Sequence, residues 1–125
     1  MLTLSVMPVE LAVVRLDSSS EIPNWATKGT DFFSITKTID ELSIVCLEGN
    51  VPNDVRVEKG WKCFKVEGPL DFGMTGILSS LTSPLAEANI SIFAISTFDT
   101  DYIMIKKEKL QNAIAVLSVF CNVIQ

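Results

Sequence analysis

The segment Ile90-Ser91-Ile92-Phe93-Ala94-Ile95-Ser96-Thr97-Phe98-Asp99-Thr100-Asp101-Tyr102-Ile103-Met104-Ile105 reads as two strands joined by a polar turn. From Ile90 to Ser96 apolar residues return at alternate positions, the period of a strand with one buried face. Asp99-Thr100 supplies turn chemistry, and Tyr102 to Ile105 forms the returning strand of a hairpin. Upstream, Trp61-Lys62-Cys63-Phe64-Lys65-Val66-Glu67 alternates in the same way, until Gly68-Pro69 ends or bends it. Between these strands, Met74, Ile77, Leu78, Leu81, Leu85 and Ala88 recur at helical spacing, predicting a helix from Gly73 to Ala88 that Pro84 kinks or divides. Downstream, Leu110, Ala113, Ile114 and Leu117 trace one face of a second helix, and Phe120 to Ile124 makes a short closing strand. The order β-α-β-β-α-β predicts two helices on one face of a four-stranded antiparallel sheet.

The first half repeats this pattern weakly. At a spacing of sixty, Phe33 falls on Phe93, Ile35 on Ile95, Glu41 on Asp101, Leu42 on Tyr102, Ile44 on Met104 and Val45 on Ile105. With one residue inserted before Phe33, Ile22-Pro23-Asn24-Trp25-Ala26 mirrors Ser83-Pro84-Leu85-Ala86-Glu87. Glu10 to Asp17 makes a good strand. Ser18-Ser19-Ser20 and the short run Ile22 to Thr27 leave little room for a first helix, however, and Val51 to Lys59 leaves as little for a second. The expectation is an α+β chain of two ferredoxin-like (βαββαβ) modules in tandem, an eroded one over 1–60 and a fuller one over 61–125.

Composition narrows the function. Apolar residues make up 48% of the 125 and charged residues 20%, enough for a packed interior. The net charge is −5, and the densest group of cations is Lys106, Lys107 and Lys109, so no nucleic acid partner is expected. No apolar run approaches the roughly 20 residues of a membrane helix. Met1 to Glu10 also lacks a basic region leading into a signal-type apolar core, so no membrane partner and a cytoplasmic location are expected. Cys46, Cys63 and Cys121 sit in apolar patterns without a CxxC, which reads as reduced, buried thiols and no metal site. Histidine is absent, which excludes Ser/His/Asp and Cys/His chemistry. Asp71, Asp99 and Asp101 stand without an activated nucleophile, a GxxxxGK loop or a metal-ligand cluster, so neither catalysis nor a cofactor is expected.

These residues carry a resemblance. Phe32 to Val45, Gly76-Ile77-Leu78 through Ser83 to Ser91, and Ile95 to Tyr102 resemble the tandem ACT-like proteins of the amino-acid-binding ACT superfamily, over essentially the whole chain. The last stretch is similar to the matching hairpin of a double-length member of that family, an arginine sensor of the animal TOR pathway. The resemblance implies paired ACT modules that bind an amino acid where modules meet, without chemistry of their own. It also implies a homodimer that rebuilds a four-module assembly. An ACT-like dimerisation or interaction scaffold without ligand is the alternative.

A zwitterion needs one partner for its carboxylate and another for its ammonium. The loop Asp71-Phe72-Gly73-Met74-Thr75-Gly76 opens a helix whose first N–H groups lack internal partners and form the positive end of its dipole. Gly73 and Gly76 permit close backbone approach, and the Thr75 hydroxyl adds a donor. At the hairpin, Asp101 can accept charge-assisted hydrogen bonds, and Phe98 can supply an apolar wall. By residue matching, the resemblance carries ligand contacts to Asp71, Thr75, Gly76, Ile77, Thr97, Phe98, Thr100 and Asp101, and Phe72 lies within the same loop. Met74 replaces an acidic residue of the arginine sensor, a departure from its arginine pattern.

Overall fold

The structure, a computed structural model, describes residues 1–68 and 75–125. Among the described residues there are eight strands: β1 (Leu2–Val6), β2 (Leu11–Leu16), β3 (Ser34–Lys37), β4 (Leu42–Leu47), β5 (Arg56–Val66), β6 (Phe93–Ser96), β7 (Asp101–Lys106) and β8 (Cys121–Ile124). Two α-helices accompany them, α1 (Ile77–Glu87) and α2 (Leu110–Leu117). The chain divides into two compact units, Val9–Trp61 and Met1–Pro8 with Lys62–Gln125. The break falls inside β5, one residue from the expected boundary. The first eight residues, assigned by the sequence pattern to the leading module, belong instead with the trailing one.

In Val9–Trp61 the strands run antiparallel in the order β3-β4-β2-β5, the ferredoxin-like order. Cross-strand partners share a face of a sheet, so the registers Val14↔Ile44, Val14↔Val57, Ile35↔Ile44 and Leu16↔Leu42 define one apolar face. Ala26, Trp25, Val51 and Val55 cover it. Where the fuller module carries helices, this unit has single 3₁₀ turns at Asn24–Thr27 and Glu48–Asn50. The lack of room for helices expected from the sequence is thus realised as one turn each.

The other unit departs from the expected four-stranded sheet. Its order is β6-β7-β5-β1-β8, with β1 inserted between the first and last strands of the βαββαβ unit. β1 lies antiparallel to β5 and parallel to β8. Leu2, Leu4 and Val6 alternate along β1, so their pairings Leu2↔Cys121, Leu4↔Val66, Leu4↔Val123 and Val6↔Phe64 extend one continuous apolar face. Leu81 and Leu85 of α1 and Ala113 and Leu117 of α2 join the same buried cluster, which places both helices on that face.

α1 continues through Pro84 and is not divided there. The proline removes one helical donor, but the carbonyl left without it belongs to the exposed residue Ser80. Asn89 then takes a left-handed backbone (φ 61°), with Asn89 N–H donating to the Ala86 carbonyl (3.0 Å) and Ile90 N–H to Leu85 (2.9 Å). This is a Schellman ending, and the buried side chains Leu85 and Ile90 are its apolar pair. Because Ile90 seals the helix, β6 begins at Phe93 rather than at Ile90.

The internal repeat is present, but its spacing is 59. Thr38 N–H donates to the Glu41 carbonyl at 2.9 Å, and Thr97 N–H to the Thr100 carbonyl at 2.8 Å. In each turn the threonine hydroxyl accepts from the last residue's N–H (3.1 and 3.3 Å) and donates to its carbonyl (3.3 and 3.1 Å). The buried triplet Ile44-Val45-Cys46 corresponds to Ile103-Met104-Ile105, and the 3₁₀ turn at 48–50 to the one at 107–109. Glu41 therefore matches Thr100, the equivalent acids are Asp40 and Asp99, and Leu42 stands where the second hairpin has Asp101.

All three cysteines are buried and free. Desolvation pushes the Cys63 thiol up to about 12, opposed by the Lys62 charge. A raised thiol pKa contributes stability that is fully present below the unfolded value of about 8.5 and is lost as pH climbs toward 12. Stability measured by equilibrium unfolding is expected to fall steadily above pH 9, with a shallower fall in Cys63→Ala. An unchanged slope in that variant would remove the thiolate as the cause.

Candidate functional site

The C-terminal end of β5 organises the site. From Val66 the chain passes through Glu67 and Gly68 toward α1, so the helix start lies downstream of that strand end. Gly76 is the N-cap of α1 and holds φ 76°. An added Cβ there would meet nothing within 4 Å, so the backbone conformation alone favours glycine. Gly76 has no side chain with which to cap. The first helical hydrogen bond is from Ser80 N–H to the Gly76 carbonyl (2.9 Å), which leaves the amides of Ile77, Leu78 and Ser79 ahead of the ladder.

A cleft of about 640 Å³ opens at this helix start. Thr75, Gly76, Ile77 and Ser80 form one side, and Met1, Leu2, Phe120 and Cys121 the other. That volume lies within the usual range for small-molecule sites. Met1, Leu2, Ser80, Phe120 and Cys121 are not among the site residues expected from the sequence. The available signal was the alternation Leu2, Leu4, Val6, which marks the opening segment as a strand.

The hairpin residues gather at the neighbouring strand ends and do not line this cleft. Thr100 is buried, at 5% exposure, and its hydroxyl donates to the Val66 carbonyl at 2.6 Å. Asp101 pairs across the hairpin with Ser96, whose hydroxyl donates to its carboxylate at 2.5 Å. Phe98, at the tip of the turn, is 78% exposed. Thr97 spends its hydroxyl inside the turn. The structure therefore brings Thr75, Gly76 and Ile77 together in one group and Thr97, Phe98, Thr100 and Asp101 in another, both at the same end of the sheet. Asp71, Phe72 and Gly73 lie outside the described residues.

Among the described residues no group of three or more His, Cys, Asp or Glu is placed to hold a metal ion. No helix among them is long and apolar enough to cross a membrane.

One unit with the ferredoxin-like order β3-β4-β2-β5, and a second with two helices, a glycine-opened helix start and an acidic hairpin at one end of its sheet, define a tandem of α+β modules. The ACT domain family model matches residues 56–119, just over half of the sequence, and the chain belongs to that family. A second family model, described as an N-terminal domain, matches residues 10–54. The crystal structure of protein Atu0741 from Agobacterium tumefaciens is 42% identical, with a TM-score of 0.92, covering 98% of this chain and 92% of that one. The human cytosolic arginine sensor for mTORC1 subunit 1 is 31% identical over 108 residues. That match covers 80% of this chain but 32% of the sensor, so the chain spans about a third of that relative's length. The aspartokinase alpha and beta subunits share the fold at 12% identity (TM-score 0.66, 94% and 95% coverage).

Proposed function

We propose that this chain is a non-catalytic regulatory module of the cytoplasm that binds a free amino acid or similar small zwitterion, one per chain, and acts as a homodimer. The observation that supports this reading best is the glycine-opened start of α1 in a cleft at the same end of the sheet as the Asp101 carboxylate. The helix start answers a carboxylate through its amides and dipole, while Asp101 answers an ammonium. In this reading the ligand contacts come from Asp71, Phe72, Gly73, Thr75, Gly76, Ile77, Thr97, Phe98 and Asp101, and Thr100 stands among them with its hydroxyl held by the Val66 carbonyl. The arginine named for the human relative is one candidate, and Met74 argues for testing others equally. One site per chain follows from the leading unit, whose four-residue 3₁₀ turn at Asn24–Thr27 offers no helix start comparable to that of α1.

Calorimetry and thermal melting against the common amino acids test the proposal. A ligand present at 100 times its Kd adds about 2.7 kcal/mol to stability, which raises the melting temperature by several degrees for a chain of this size. One or a few amino acids are expected to do so with one-to-one stoichiometry. A dimer whose melting no amino acid raises would favour the scaffold alternative.

A further inference from the structure

We propose that Thr100 is a positioning residue, which locks the hairpin turn onto the end of β5 through its hydroxyl and does not meet the ligand itself. The internal repeat supplies the comparison. The turn Thr38 to Glu41 has the same backbone pairing and the same threonine-hydroxyl closure as Thr97 to Thr100, yet carries Glu41 at the last position. A threonine there is thus not needed to make the turn. What Thr100 adds is the 2.6 Å bond from its hydroxyl to the carbonyl of Val66, the last residue of β5. Thr100 is also the one buried polar or charged residue among those described, so its hydroxyl is removed from solvent and turned to the sheet. A buried hydroxyl that loses its acceptor is costly, which makes the bond an effective latch.

The consequence falls on its neighbours. Asp101 follows Thr100 directly, and Phe98 stands two residues before it at the exposed tip. Fixing Thr100 to Val66 fixes where both present themselves relative to the strand end from which the chain departs for α1. This role deepens the proposed amino-acid site and, as far as ligand affinity is concerned, rests on it.

Thr100→Val keeps the shape and burial while deleting the donor, and Thr100→Ser retains it. Native-state hydrogen exchange of the chain without ligand reads the latch directly. In Thr100→Val, and in Thr100→Ala should the valine variant fold poorly, exchange at the Thr97 and Thr100 amides is expected to rise about tenfold. The Thr38 and Glu41 amides of the matching turn should be unaltered, and Thr100→Ser should stay near the parent. Unchanged exchange at Thr97 and Thr100 would overturn the proposal whatever the ligand result. For any amino acid that binds the parent chain, affinity should fall about tenfold in Thr100→Val and hold in Thr100→Ser. A parent chain that binds no amino acid, with exchange loosened as described, would end the sensing reading while the latch stands. An affinity reduced in Thr100→Val with exchange at Thr97 and Thr100 unmoved would make Thr100 a ligand contact and sink the latch.

Discussion

Deleting Met1–Pro8 is expected to abolish cooperative folding of the unit that contains α1 and α2. β1 lies between β5 and β8, so its loss strips hydrogen-bond partners from both. The buried faces of Val66, Phe64 and Cys121 would also lose Leu4, which is fully enclosed. β8 has no other described neighbour in the sheet and would be released. The point variant Leu4→Ala isolates the packing part, with an expected loss of about 2–5 kcal/mol. That is a large share of the roughly 5–15 kcal/mol that holds a domain folded. Circular dichroism melts of the truncated chain and of Leu4→Ala measure this. A truncated chain that melts like the parent would show that β1 is dispensable to that unit.

The second large effect concerns ligand affinity. Asp101→Ala is expected to weaken amino-acid binding by about ten- to a hundredfold, because a hydrogen bond to a charged group is worth about 1.5–3 kcal/mol. Asp101→Asn keeps an acceptor without the charge and should fall between alanine and the parent. Ser96→Ala removes only the hydroxyl that orients the carboxylate, so its loss should be smaller than either. The folded state should tolerate all three, since Ser96 and Asp101 are not buried. Titration calorimetry of the series separates the cases: equal affinity in the parent and Asp101→Ala would remove the carboxylate from the site.

Much of the architecture was legible in the sequence because it rests on strong local periods. The alternation in Trp61–Glu67 and Tyr102–Ile105 and the helical spacing of Leu110 to Leu117 survive as β5, β7 and α2. The shortage of sequence for helices in the first half reappears as two 3₁₀ turns. The place of β1 was hidden, because the alternation Leu2, Leu4, Val6 marks a strand but carries no local sign of its distant partners β5 and β8. The start of β6 was misplaced because an alternating pattern does not distinguish a first strand residue from an apolar helix seal, the role Ile90 takes. The repeat is legible in the apolar matches and, above all, in the acid pairing of Glu41 with Asp101, yet the hydrogen bonds of Thr38 and Thr97 fix its spacing at 59 and undo that acid match.

At the site, chemistry was easier to read than placement. Gly76 was marked as a helix opener and is one, at the left-handed backbone that glycine permits. Thr100 was read by matching as a ligand contact, although a hydroxyl in a turn serves a sheet as readily as a ligand. Its bond to Val66 depends on a strand 34 residues away. Cys121 and Phe120 were read as core and closing strand, yet they also line the cleft beside Gly76.

A crystal structure with the amino acid that most raises the melting temperature puts the central claim to the most direct trial. The ligand carboxylate should lie against the backbone amides that open α1, around Ile77, with its ammonium directed to Asp101. A ligand lodged away from Gly76 and Asp101, or a carboxylate turned toward the hairpin acid, would contradict the account.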